Sequence, residues 1–293
     1  MNNKKVYYVG RDREYKSITK LFLMLANDDS EKTIYIDSGE YDIFREYKEA
    51  GIDSPPDDVD VSDYMRYNAF LPINTSLIGV GNVLLRFSPH KDEITYGESR
   101  TWAPLNILGG CHVENIEIYC KNGRYCIHDD AHNEYKNSVH FYKHVRCRYE
   151  IGDYKDDRIL GFNYTIGNGM AQGTKFEFDD CTFEFAGDNS HTAFYTHESG
   201  SENPDNSPSL IFKNCLFLAG EDNDRVIMLQ SLAKTDLHIN TRIESCHISG
   251  GIYFNIYKKT QSKQHYDVTL INSGNPPLRF DDKDNAYPVK IYN

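Results

Sequence analysis

Tyr125, His128, Asp129, Asp130 and His132 form the densest run of reactive side-chain types in the chain. A second run follows at His191, Tyr195, His197 and Glu198, and a third at Gln230 and Ser231. Carboxylates and imidazoles recurring in this way suit two kinds of chemistry. Glycoside hydrolysis needs two carboxyl groups, about 5 Å apart for retention or about 6.5–9.5 Å apart for inversion. Asp129, Asp130 and Glu198 are the candidates for that pair, with His128 or His197 as acid–base support. Without turnover, the same groups offer hydrogen bonds to an extended polymer. Tyr125, His128, Asn168, His191, Tyr195, His197 and Gln230 are then the binding residues. No Arg or Lys is expected within this line.

Such groups must be brought together by the elements that carry them. Ser17 is placed to cap a helix in which Ile18, Leu21, Phe22 and Leu25 recur at i, i+3, i+4 and i+7. Short strands are expected on either side, at Val6–Val9 and from Thr33 to Ile36. Beyond Leu71 the chain is a succession of short apolar runs cut by Gly, Asn and Asp. That pattern excludes a doubly wound fold, which needs long helices between strands. Internal repetition is the informative feature. Phe178-Asp-Asp-Cys181-Thr-Phe183, Phe212-Lys-Asn-Cys215-Leu-Phe217 and Ile243-Glu-Ser-Cys246-His-Ile248 share one pattern, with weaker copies centred on Val145 and Ile116. A second series interleaves with it: Cys126-Ile-His-Asp129, Thr165-Ile-Gly-Asn168, Tyr195-Thr-His-Glu198 and Met228-Leu-Gln-Ser231. Two alternating strand series with a period of about 30 residues describe a β-solenoid, whose coils bury their apolar faces only by stacking. Equivalent residues then lie about 4.8 Å apart. His128 is expected to stack on Gly167, then His197, then Gln230, with the glycines leaving room for a ligand. Asn115 and Asn214 are read as corner residues, because Asn tolerates the left-handed conformation.

The N-terminal strand–helix–strand, the segments Thr33-Ile-Tyr-Ile-Asp-Ser-Gly-Glu-Tyr41 and Ser76-Leu-Ile-Gly-Val-Gly81, and the repeated apolar-x-x-Cys-x-apolar coils together resemble the pectin lyase-like superfamily. The resemblance spans nearly the whole chain and implies an all-β fold, a single-stranded right-handed parallel β-helix with an N-terminal capping helix over residues 15–27. The organisation expected is one domain over 1–293: strand and capping helix at 1–43, an inserted loop or loose helical excursion at 44–70, coils at 71–273 and a closing segment at 274–293. The Gly167/Gly169 and Asn-Cys coils are similar to those of phage and prophage tail-associated β-helix proteins. That likeness implies a virion protein recognising host-surface glycan, made in the cytoplasm and carried on the virion, with other virion proteins or further copies of itself as partners. A polysaccharide hydrolase or lyase in the same groove is the alternative, and a purely structural virion subunit a third. The superfamily's polygalacturonase and pectin methylesterase signatures are absent, and Asp129-Asp130 matches only one part of the former.

Composition narrows the choice further. A formal net charge of −12 argues against nucleic acid as a partner. No apolar run approaches the roughly 18 residues of a membrane helix, and Met1–Tyr8 has no apolar stretch after its lysines, so neither membrane insertion nor a secretory signal is expected. The seven cysteines are odd in number and form no C-x-x-C pair, which reads as small buried hydrophobes. Neither a metal nor another cofactor is implied: His128 and His132 share a face only on a helix, and the acidic runs at 57–60 and 281–284 lack EF-hand spacing.

Overall fold

The computed structural model describes residues 4–131, 133–152, 164–186, 192–198, 206–219, 225–231, 238–256, 265–280 and 289–292. Strand β1 (Lys5–Val9) pairs in parallel with β2 (Lys32–Asp42), and helix α1 (Ile18–Met24) lies between them in sequence. The Ser17 hydroxyl caps α1, accepting from the Lys20 amide at 3.2 Å. Ile18, Leu21 and Phe22 bury their side chains in the same core as the strands. The expected capping helix is therefore present, and its N-terminus is also tied sideways. The Glu46 carboxylate accepts from the Thr19 amide and the Ser17 hydroxyl, both at 2.8 Å.

Of the two forms allowed for the inserted stretch, loop or helical excursion, the structure has helix in it. Helix α2 (Ile43–Ala50) is capped by Asp42 at one end and by Gly51, with φ of 71°, at the other. A 3₁₀ turn spans Val61–Tyr67. Phe44 and Tyr47 of α2 pack on Trp102 at ring distances of 5.9 and 5.2 Å. This segment is thus a cover over the first coils.

Strand β3 (Phe70–Leu71) begins a second sheet, and the 13-residue β4 (Thr75–Phe87) continues the first. A short helix, α3 (Tyr96–Thr101), has a capping box between Thr95 and Glu98 and leads into β5 (Leu105–Ile107). Regular coils then follow, each with three strands. They are β6 (Cys111–Glu114), β7 (Glu117–Lys121) and β8 (Tyr125–Asp130); then β9 (Val139–Lys143), β10 (Arg146–Glu150) and β11 (Tyr164–Met170). Next come β12 (Lys175–Asp179), β13 (Thr182–Ala186) and β14 (Phe194–Glu198), and β15 (Ser209–Lys213), β16 (Leu216–Leu218) and β17 (Ile227–Ser231). The last are β18 (His238–Glu244), β19 (His247–Ile248) and β20 (Ile252–Ile256), followed by β21 (His265–Ile271), β22 (Leu278–Phe280) and β23 (Val289–Tyr292).

Every pairing between these strands is parallel and joins a strand to its equivalent one coil away. The chain is an all-β parallel β-helix. One sheet has two arms that meet at β4: its first half pairs with β6 and its second with β7. The other sheet runs β3-β5-β8-β11-β14-β17-β20-β22. The closing segment adds β22 to this sheet and β23 to the first.

The corners between the two arms explain the repeat. Asn115, His144, Asp180, Asn214 and Ser245 all have φ between 52° and 57° and immediately precede the ladder residues Ile116, Val145, Cys181, Cys215 and Cys246. The ladder residues are buried. Parallel stacking also aligns like rings in the interior: Tyr142, Phe178 and Phe212 stack at 4.7 and 5.2 Å, and Phe183 on Phe217 at 5.3 Å. Such stacks add about 0.5–1.5 kcal/mol per pair beyond simple burial. All seven cysteines are free and buried, as their contexts suggest. Among the described residues no helix is long and apolar enough to cross a membrane.

Candidate functional site

The register of the β5–β22 sheet is set by its inward apolar ladder. Ile127, Ile166, Phe194, Ile227 and Ile252 pair in succession and are buried to 0% exposure. A one-residue slip would turn that ladder outward, so the apolar set decides the pairing and the polar residues follow. Three polar rows result. His128 aligns with Gly167, Tyr195 and Met228; Asp129 with Asn168, Thr196 and Leu229; Asp130 with Gly169, His197 and Gln230. The expected stacking of His128 toward His197 is thus displaced by two residues.

The middle row lies inside the solenoid, which corrects two assignments. Asp129 is 0% exposed, and its Oδ2 accepts from the Tyr142 hydroxyl and pairs with His140 Nδ1 at 2.9 Å. It cannot meet a polymer. Asn168 is equally buried, with its side-chain oxygen accepting from Thr196 Oγ1 at 2.9 Å. Asn168 is an interior partner and not a ligand contact.

The outer rows hold the remaining candidates, and burial separates them. His128 is 3% exposed, with its ring 4.3 Å from that of Tyr64 on the covering segment. Tyr125 is also 3% exposed and stacks on Tyr164 at 5.9 Å, which in turn stacks on Tyr195 at 4.5 Å. Rings stacked along the axis offer their edges and hydroxyls outward and their faces to each other. Burial raises the pKa values of Tyr164 and Tyr195 above the ordinary phenol value, so both are neutral phenols. The Tyr195 hydroxyl donates to the side-chain oxygen of Gln230. Tyr195, His197 and Asp130 are partly exposed.

The two glycines serve the protein's own side chains. A Cβ on Gly167 would lie 2.8 Å from the Tyr125 ring, and one on Gly169 would lie 2.0 Å from Asp130 Oδ1 and 2.9 Å from His197 Cε1. Room for a ligand's backbone approach is not what they provide.

Arginines stand on this face although none was expected there. The Arg124 guanidinium lies 4.8 Å from the Tyr125 ring centre and 5.7 Å from that of Tyr64. Arg225 and Arg279 flank the Tyr253 ring at 5.5 and 5.1 Å. The signal was present in the adjacency of Arg124 to Tyr125 and of Arg225 to the apolar run of β17. Outward side chains follow strand parity, and these arginines lie beside rows identified by other residues. Glu198 pairs at the backbone with Met170, and its side chain lies outside the described ones. His191 and His132 also lie outside the described residues.

No family model matches this sequence, and no curated protein does. Solved structures that resemble the chain include two of the pectin methylesterase from Aspergillus niger. The penultimately deglycosylated form has a TM-score of 0.43 at 11% identity, and the deglycosylated form 0.39 at 12%; each covers 100% of this chain and 86% of that one. The assignment of the fold rests on the strand pairing described above.

Proposed function

We propose that the protein binds an extended polysaccharide along the outer face of the β5–β22 sheet. The observation that carries the reading is the row of polar ends on that face: Asp130, His197 and Gln230 at one register position of β8, β14 and β17, with Gly169 of β11 between the first two and the Tyr195 hydroxyl beside them. Neighbouring strands step by about 4.8 Å, so the row runs along the axis, as a polymer lying there requires. Arg124 adds a guanidinium beside two rings, with its Nη1 buried and without a hydrogen-bond partner. Tyr64 of the 3₁₀ turn covers His128 in the neighbouring outer row.

Binding is favoured over hydrolysis by the placement of Asp129. A hydrolase needs two carboxyl groups facing the same bond, and Asp129 faces the interior. Asp130 is left as the described outward carboxylate of that pair. The similarity of the coils to phage and prophage tail proteins extends the reading to a virion protein that recognises host-surface glycan. This extension rests on resemblance alone.

The test is a panel of bacterial and plant polysaccharides, read for retention of the protein, for new reducing ends and for unsaturated products. Retention on one glycan without product is expected, reduced at least tenfold in Arg124→Ala and His197→Ala with unchanged circular dichroism. Product formation abolished by Asp130→Asn would replace binding with catalysis. Neither retention nor product would end the polysaccharide reading.

A further inference from the structure

The interior row that removes Asp129 from the outer face places it in a different cluster. Cys111 on β6, Asp129 on β8 and His140 on β9 each offer a ligand atom, and the three atoms lie within 4.8 Å of one another. They come from different strands of two adjacent coils and converge across the core. The Cys111 thiol lies 3.9 Å from His140 Nδ1 and from the Tyr142 hydroxyl. Asp129 Oδ2 is occupied by Tyr142 and His140, whereas Asp129 Oδ1 is buried and has no hydrogen-bond partner. A carboxylate taken out of water with one oxygen unsatisfied costs several kcal/mol unless something compensates it.

We infer that Cys111, Asp129 and His140 bind a divalent transition-metal ion, best matched by zinc. The donor set is the argument. Thiolate, carboxylate and imidazole are the three side-chain ligands that zinc takes. One thiolate and one carboxylate neutralise a dication, so the loaded site carries no net charge into an apolar interior. The sulfur, Nδ1 and one carboxylate oxygen make three protein donors, and the fourth position is left to water.

The imidazole is oriented from behind. His140 Nε2 lies 2.8 Å from the Ser138 hydroxyl, and the ring stacks on Phe176 at 4.2 Å. A hydroxyl rotates to donate or accept, so Ser138 serves both states. Without metal it donates to Nε2 while Nδ1–H donates to Asp129. With metal it accepts from Nε2–H and leaves the Nδ1 lone pair for the ion. The metal-free Cys111 sulfur is placed as a thiol donor toward the Tyr142 hydroxyl and so carries its proton. Loading forms metal–sulfur, metal–nitrogen and metal–oxygen bonds, moves the imidazole proton from Nδ1 to Nε2, and releases one proton, that of the thiol, to solvent. On the outside, Cys111 borders a surface cleft with Ile73, Asn74, Gly110, Ser138 and Val139.

The experiment uses the full chain. Metal content is measured after purification; the protein is then stripped with a chelator and titrated with cobalt(II). Expected are one equivalent of cobalt, a near-ultraviolet thiolate-to-cobalt charge-transfer band, visible bands of a four-coordinate ion, and displacement by zinc with release of about one proton at loading. Cys111→Ser should abolish the charge-transfer band while keeping the β-sheet circular dichroism, and Cys147→Ser should keep the band. Ser138→Ala should weaken affinity about tenfold. If stripping unfolds the chain, refolding that requires zinc supports the site equally. A folded, stripped protein that takes up no stoichiometric cobalt overturns the inference, as does a charge-transfer band that survives in Cys111→Ser.

Discussion

Adjacent aspartates with opposite fates make the sharpest test of the register. Asp129→Asn keeps the side-chain volume and removes the charge. In the wild type, Asp129 Oδ2 takes the Tyr142 hydroxyl and pairs with His140 Nδ1 at 2.9 Å, all fully buried. Hydrogen bonds to a buried charge are worth about 1.5–3 kcal/mol each. An amide keeps one acceptor, and its NH₂ then confronts a donor or goes unpaired. We expect a loss of about 3 kcal/mol, or a fall in Tm of roughly 5 °C for a chain of this size. Asp130→Asn, on the outer face, should change stability by less than about 1 kcal/mol. The assay is urea unfolding followed by circular dichroism and by fluorescence of Trp102, the chain's one tryptophan. Chelator is present throughout, so that no metal contributes. Wild-type stability in Asp129→Asn alongside a large loss in Asp130→Asn would refute the register and return Asp129 to the outer face.

Further outcomes follow from other parts of the fold. All seven cysteines are buried; burial raises the pKa of Cys111, Cys120, Cys126 and Cys215, and the hydrogen bond with Cys215, together with burial, raises that of Cys246; a thiol reagent should therefore find almost none in the native protein and about seven in denaturant. Asn214→Ala, at φ of 55°, should cost about 1–2 kcal/mol by urea titration, whereas Asn214→Gly should restore most of the loss. Burial raises the Glu46 pKa above the ordinary carboxylate value against the hydrogen bonds from Thr19 and Ser17. The folded state then holds more protons than the unfolded chain between those two values, so Glu46 lowers stability as pH rises through that window. In Glu46→Gln that part of the pH dependence should vanish from stability curves measured between pH 4 and neutrality; an unchanged curve would exclude this role for Glu46.

The solenoid was legible because its physics repeats. A corner needing the left-handed conformation and a buried ladder residue after it recur once per coil, and that period survives substitution of Asn by His, Asp or Ser at positions 144, 180 and 245. Helix α1 was legible for a similar reason, since one cap and one apolar stripe specify it. Helix α2 carried comparable marks in Asp42, Ile43, Phe44, Tyr47 and Gly51, but the acidic, Pro-containing stretch after it read as loop or loose helical excursion. The site was less legible. Aligning His128 with His197 matched residues by their chemistry, whereas the chain aligns them by Ile127, Ile166 and Phe194. In a strand a single step decides inside from outside, and no local feature of Asp129-Asp130 tells which of the two turns inward. The association of Cys111 with His140 depends on stacking one coil upon the next, which no spacing within a motif can reveal.

The long strand β4 has a consequence for how the molecule is made. Its first half supports β6 and its second half β7, and both halves rest on β2. One continuous strand therefore spans both arms, and Gly81, with φ of 81°, lies between its two halves. Every later coil is laid on the coil before it in sequence, so a change in the bend of β4 is felt through each successive layer, whereas β19 pairs with β16 alone among the described strands.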